Sequence, residues 1–178
     1  MNQGKLVIVA MLVVALGMSG YAWWARYSRS QRILEAWGTD AVVAIRRGDD
    51  VKLLKLAPIS GTSEEAEQAD DSSVEKLVGP DGELQIIEEV DLQEARGLIH
   101  ARHHLIHEKG YVWVVDDESS CSPVWNQALR FRRSNQTATL LFDLDCQQAY
   151  LLERQREVRL APILADALTK FLENSETQ

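Results

Sequence analysis

An uncharged apolar run near the start of the chain restricts its architecture more than any other feature. The run begins at Leu6 and ends at Ala25 (residues 6–25). About twenty helical residues are long enough to span the roughly 30 Å hydrocarbon core of a bilayer. Trp23 and Trp24 lie near the end of the run, and aromatic rings favour the headgroup layer of a membrane. The pattern predicts a transmembrane anchor over residues 1–27, with the membrane as a partner of this segment.

A cleaved signal peptide is the alternative interpretation of the same run. In that case residues 6–15 form a short apolar region, and the small residues after it provide a cleavage site. The positive-inside rule, applied to Arg26, Arg29 and Arg32, would leave the body of the protein in the cytoplasm. A short tail followed by one apolar run is instead typical of an exporting signal. We therefore expect a single-pass membrane protein with an extracytoplasmic domain, with the cytoplasmic orientation as the alternative.

Charge and composition exclude one class of function. The 178 residues carry a formal net charge of -8. Binding to nucleic acid requires a basic surface that displaces counterions from the phosphates, and the sequence contains no such cluster. The hydrophobic fraction of 46% is that of a globular protein. The sequence therefore predicts a single modest domain and no nucleic-acid partner.

The chain divides into four segments by pattern. After the anchor, residues 28–60 predict an amphipathic helix (28–47) and a first strand (51–57). Residues 61–73 contain five acidic residues and no apolar side chain larger than alanine, which predicts a flexible, solvated loop. Residues 74–175 form the main domain. It could be separated from the first helix by this loop, or the loop could be an insertion within it.

The main domain alternates between strand and helix patterns. A turn at residues 79–82 precedes a strand over 84–90, and Asp91 with Glu94 has the spacing of a capping box for a helix to about Lys109. Strands over 111–115 and 157–160 and a helix that starts at Pro162 follow. We predict an α+β fold in which a mainly antiparallel sheet of about five strands packs with two or three helices.

A β-hairpin is the clearest local structure in the sequence. Its arms are residues 125–133 and 137–146. Apolar residues alternate in both arms, so pairing Phe131 with Leu140 puts both apolar sets on one face. The same register places Trp125 opposite Cys146.

The two cysteines, Cys121 and Cys146, are predicted to form a disulfide. Ser122 and Pro123 can turn the chain so that Cys121 returns towards the end of the hairpin, within the Cα separation of about 5.5 Å that a disulfide needs. A disulfide also requires an oxidising environment, which agrees with export. Two reduced cysteines are the alternative.

The four histidines of the chain lie within eight residues, at His100, His103, His104 and His107. On the predicted helix they share an arc of about 100°, beside the apolar stripe. His100 with His104, and His103 with His107, are separated by four residues, a spacing at which two imidazoles can hold one divalent ion such as Zn²⁺ or Cu²⁺. The pattern predicts a metal-binding or pH-sensing surface, with the polar flank of a half-buried helix as the alternative.

Asp143 and Asp145 end an apolar strand in a pattern that resembles the first motif of haloacid-dehalogenase-type phosphatases. That family follows the second aspartate with Gly and Thr, whereas Cys146 and Gln147 stand here, and too little chain follows for the other motifs. We interpret both aspartates as the solvent face of an alternating strand.

Three segments together resemble bacterial membrane-anchored envelope proteins of unassigned activity. They are residues 32–38, residues 95–103 and residues 125–146. The resemblance implies a bacterial envelope setting and brings no activity with it. Because no complete catalytic arrangement is visible, we expect a non-enzymatic, protein-binding or structural module. A metal-binding or pH-sensing protein that uses the four histidines is the second hypothesis.

Overall fold

The computed structural model describes residues 3–59, 75–113 and 121–176. One long helix opens the chain, α1 (Gln3–Arg47). It is interrupted at Gly38, whose backbone has φ 78° and ψ 162°. The Arg154 side chain lies against this position: a Cβ added to Gly38 would come within 2.8 Å of the Arg154 Nε. The chain therefore needs glycine at the bend, because other residues strongly disfavour this backbone conformation.

The second part of α1 belongs to the folded body. Ile33, Trp37, Ala41 and Ile45 are buried, at the three- and four-residue spacing of a helix face. They share one hydrophobic cluster with strand and helix residues as distant as Leu172. The predicted helix over 28–47 is thus the continuation of the helix that contains the apolar run.

No helix among the described residues combines the length and the apolar character that a membrane crossing requires. The prediction of a transmembrane anchor over residues 1–27 is therefore wrong, and so is the single-pass localisation built on it. The apolar run is not a separate element in the structure. It is the first part of α1, and the same helix continues into the core.

The described residues form one antiparallel sheet with the strand order β2-β3-β1-β5-β6-β7-β8-β4. The strands are β1 (Asp50–Pro58), β2 (Lys76–Gly79), β3 (Gly82–Asp91), β4 (Tyr111–Val112), β5 (Gln127–Arg133), β6 (Gln136–Asp143), β7 (Gln148–Leu151) and β8 (Arg156–Leu160). Two further helices, α2 (Leu98–Leu105) and α3 (Pro162–Glu176), complete the fold.

The α+β class is confirmed, but the predicted sheet of about five strands is wrong, since eight strands are present in the described ranges. The strands that the sequence did not predict include β2 and β7, each four residues long. Strands this short carry too few alternating positions for a pattern to show. The loop predicted over 61–73 and part of the strand predicted over 111–115 lie outside the described residues.

The hairpin of β5 and β6 is present, but its register differs from the predicted one by two residues. Phe131 pairs with Ala138 rather than Leu140, and the turn contains only Ser134 and Asn135. Ser134 adopts a positive φ of 50°, which allows this tight turn. A shift of two residues leaves Leu129, Phe131, Leu140 and Phe142 on the face predicted for them. The predicted place of Trp125 on that face, opposite Cys146, is wrong, because Trp125 precedes β5 and belongs to the cluster on the other face of the sheet.

The sheet buries apolar residues on both faces. Leu53, Leu129 and Leu140 lie on the face that α1, α2 and α3 cover. The neighbouring Leu54 and Leu141 belong to a second, smaller cluster on the opposite face. This alternation along each strand is the period-two pattern of a sheet that is buried on both sides.

Candidate functional site

The histidine segment is shorter as a helix than its sequence suggested. Helix α2 starts after Gly97, which has a left-handed φ of 92°, and ends at Leu105. The helix predicted from Asp91 to Lys109 is therefore wrong in its bounds. The Asp91 carboxylate does accept a hydrogen bond from the Gln93 amide over 2.8 Å, but this contact caps a turn after β3.

Helix α2 turns its apolar residues inward and its histidines outward. Leu98, Ala101 and Leu105 are buried, and all four histidines are exposed. His100 and His104 line a cleft between α2 and α3. His103 and His107 form a second pair, with ring centroids 5.5 Å apart. The His103 ring also lies 6.1 Å from that of His104, so the two pairs adjoin on the helix surface.

The pair of His103 and His107 has the separation of two imidazoles that could share an ion. The Nδ1 of His107 accepts a hydrogen bond from the Lys109 amide over 3.3 Å, so in the neutral ring Nε2 carries the proton and acts as a donor; metal binding through Nε2 would require this hydrogen bond to break. Structural zinc sites take four protein ligands. No group of three or more histidine, cysteine, aspartate or glutamate residues in the described ranges could hold a metal ion. Metal binding by these histidines therefore stays a prediction.

The predicted disulfide between Cys121 and Cys146 is confirmed, with a Cα–Cα distance of 5.7 Å. The Asp143 carboxylate bonds to both chain segments that carry the disulfide. Its Oδ2 accepts from the Val124 amide over 2.6 Å, and its Oδ1 accepts from the Cys146 amide over 2.9 Å. Asp143 is 7% exposed, so its interpretation as a solvent-facing residue is wrong. Asp145 is exposed, as that interpretation requires.

Trp125 connects this corner to the far edge of the sheet. Its indole nitrogen donates to the Asp81 carboxylate over 2.9 Å, in the turn between β2 and β3. The ring also lies 6.0 Å from that of Tyr150. The turn at residues 79–82 was predicted, but its contact with Trp125 was not, because no local pattern relates positions 44 residues apart.

A buried arginine lies on the second face of the sheet. The Arg130 side chain is 3% exposed and its guanidinium contacts the Glu75 carboxylate at 2.9 and 3.0 Å. The hydrogen bond and the positive charge of Arg130 lower the pKa of the Glu75 carboxyl. Nearby, a hydrogen bond from Lys52 to Glu89 raises the pKa of the Lys52 ammonium group. Both contacts fit a structural role, since the first ties Glu75, directly before β2, to the central strand β5 and the second joins β1 to β3.

The first half of α1 carries most of the large apolar side chains that are exposed among the described residues. Twelve large apolar or aromatic side chains between Val7 and Tyr27 are each more than half exposed. They are Val7, Ile8, Met11, Leu12, Val13, Val14, Leu16, Met18, Tyr21, Trp23, Trp24 and Tyr27. None of them belongs to either hydrophobic cluster of the folded body. We call this surface the apolar α1 surface.

No protein-family model, curated protein or solved structure matches the chain. The resemblance to bacterial membrane-anchored envelope proteins therefore stays a prediction. The function has to be argued from the surfaces of this molecule.

Proposed function

We propose that this chain is a non-enzymatic protein-binding module and that the apolar α1 surface is its binding surface. One observation carries the proposal: the second half of α1 is fixed in the core, while the first half exposes twelve large apolar or aromatic side chains. Trp37 and Ile45 are buried, whereas Leu16 is 72% exposed on the same helix.

The hydrophobic effect favours the burial of this surface against a partner. Monomeric proteins rarely expose continuous apolar patches of more than a few hundred Å², and larger patches mark interaction sites. Burial of apolar area contributes roughly 25 cal/mol per Å². The side chains of the apolar α1 surface lie on a helix with no charged residue between positions 6 and 25, so no charged group in this range has to be desolvated with them.

The shape of the surface suits an apolar helix as its partner. Gly17 and Gly20 are three residues apart and therefore share a side of α1. A Cβ added at either glycine would meet nothing within 4 Å, so the backbone at both positions borders open space. Packed helices lie 8–10 Å apart, with side chains of one helix in grooves of the other. An apolar helix of a partner protein can therefore approach α1 closely at Gly17 and Gly20.

Site-specific photo-crosslinking of the full chain in its native cells tests the proposal. A photoreactive residue is placed at Leu16 in the apolar α1 surface. As a control it is placed at Asn135, which is exposed in the turn between β5 and β6. We expect a discrete protein adduct from position 16 and none from position 135.

A second variant decides whether the adduct depends on the surface. Leu12 lies one helical turn from Leu16, so Leu12→Glu puts a charge into the same side of the helix. We expect the adduct to be lost while the unfolding midpoint is unchanged, because Leu12 contributes to neither hydrophobic cluster. Adducts with lipid alone, or a protein adduct that persists in Leu12→Glu, would overturn the proposal.

A further inference from the structure

The cleft between α2 and α3 has an apolar floor that is part of the core. Ala101 of α2 and Leu168 and Phe171 of α3 line it and are buried. The cleft volume is about 210 Å³. A dry apolar cavity of about 150 Å³ holds a benzene molecule, so the space suits an aromatic ring with one small substituent. It is smaller than the roughly 300–1,000 Å³ of sites for drug-sized ligands.

The walls of the cleft are cationic or hydrogen-bonding. Arg96 precedes α2, Lys170 lies on α3, and His100 and His104 face the same space from α2. No carboxylate lines the cleft among the residues described. Arg96 and Lys170 also form no ion pair with any described residue, although the chain as a whole carries a charge of -8. Within the described ranges, two cations without a carboxylate partner above an apolar floor are a local exception in an acidic protein.

We propose that this cleft binds a small organic anion, namely a carboxylate attached to an apolar ring or short chain. The carboxylate meets Arg96 and Lys170, whose hydrogen bonds to it are charge-assisted and hence stronger than neutral ones. The apolar part covers Leu168 and Phe171. His100 and His104 add hydrogen-bond donors at the rim. This site is separate from the apolar α1 surface, so it goes beyond the protein-binding function and stands without it.

Calorimetric titration of the full chain with sodium benzoate tests the assignment, with benzamide and inorganic phosphate as comparison probes. Benzamide keeps the ring and lacks the charge, whereas phosphate keeps the charge and lacks the ring. We expect saturable binding of benzoate at one site, and binding at least about tenfold weaker for both comparison probes. Equal affinity for benzamide or for phosphate would overturn the assignment, as would the absence of saturable benzoate binding at millimolar concentration.

Matched variants separate a specific site from general attraction by positive charge. The double variant Arg96→Gln/Lys170→Gln removes two charges from the cleft, and Arg46→Gln/Arg47→Gln removes two exposed charges at the end of α1. We expect about a tenfold loss of benzoate affinity in the first and less than a twofold change in the second. A third variant, Ala167→Leu, fills the cleft and keeps every charge, so it should also abolish binding. Equal losses in both double variants, or full binding in Ala167→Leu, would refute the site.

Discussion

The indole nitrogen of Trp37 donates a hydrogen bond to the Tyr111 hydroxyl over 3.2 Å, and so joins α1 to the edge strand β4. The same hydroxyl donates to the Leu105 carbonyl at the end of α2. Burial raises the pKa of the Tyr111 hydroxyl, so it remains protonated and able to donate. One side chain thus connects the first helix, the histidine helix and the sheet.

Replacement of Tyr111 by phenylalanine should therefore destabilise the fold. Tyr111→Phe leaves the Trp37 indole and the Leu105 carbonyl buried without their partner, which costs roughly 1–3 kcal/mol. Tyr21→Phe is the matched control, because Tyr21 is 69% exposed on the apolar α1 surface. Urea unfolding of both variants measures the effect. An unfolding free energy of Tyr111→Phe equal to that of Tyr21→Phe would contradict the structural role.

The corner at the disulfide gives a second test. Asp143→Asn keeps the shape of the side chain, but its amide nitrogen must face either the Val124 or the Cys146 amide, and two donors cannot bond to each other. We expect a loss of roughly 1.5–3 kcal/mol in the free energy of unfolding, the range for a hydrogen bond to a charged group. The exposed Asp145 offers the control Asp145→Asn, which should be close to neutral. Chemical denaturation under non-reducing conditions distinguishes them, and similar losses in both would refute the role of Asp143.

Some of this corner could be predicted from sequence and some could not. The disulfide followed from two cysteines at the ends of a turn and a hairpin. The role of Asp143 did not, because strand alternation describes only side chains within a strand. Asp143 is the last residue of β6, and the chain turns directly after it, so that the Cys146 amide comes back to its carboxylate. Turn geometry of this kind depends on tertiary contacts that a local pattern does not contain.

The hairpin and the histidine helix also show that a local sequence pattern does not fix every structural detail. Alternation fixes which face a residue takes, and two registers that differ by two residues satisfy it equally. The short turn at Ser134 decides between them. For α2, the spacing of Asp91 and Glu94 fits a helix start, but the chain remains irregular until Gly97. The four histidines were found by spacing, whereas the place of Lys170 beside His100 and His104 was not, since Lys170 is on another helix.

The ion pair of Arg130 and Glu75 predicts a pH dependence. Because Arg130 lowers the folded-state pKa of Glu75, the pair stabilises the fold fully above the ordinary carboxyl pKa of 4.5. This contribution is lost as the pH falls through the lower folded-state pKa. The difference in stability between the wild type and Glu75→Gln should therefore be constant near neutral pH and shrink below about pH 4.5.

The control for this dependence is Glu94→Gln, which removes an exposed carboxylate that forms no ion pair in the described ranges. Thermal unfolding between pH 3 and pH 7 gives the profile for each variant. A Glu75→Gln profile that runs parallel to that of the wild type through the acid range would show that the pair does not stabilise the fold. The effect should be modest, because the Glu75 side chain is 49% exposed and solvent screens its charge.

Gly38 supplies the last prediction, because its conformation with φ 78° and ψ 162° is essentially restricted to glycine. Gly38→Ala should lower the free energy of unfolding by roughly 1–3 kcal/mol. The added methyl group would also approach the Arg154 guanidinium, at 2.8 Å from Nε, but this flexible side chain can move away. Gly38→Ala/Arg154→Ala compared with Arg154→Ala alone should therefore show the same loss. A Cβ at Gly17 meets nothing within 4 Å, so Gly17→Ala serves as the control and should cause no loss in urea unfolding. If the alanine at position 38 were tolerated as well as the one at position 17, the bend in α1 would not depend on glycine.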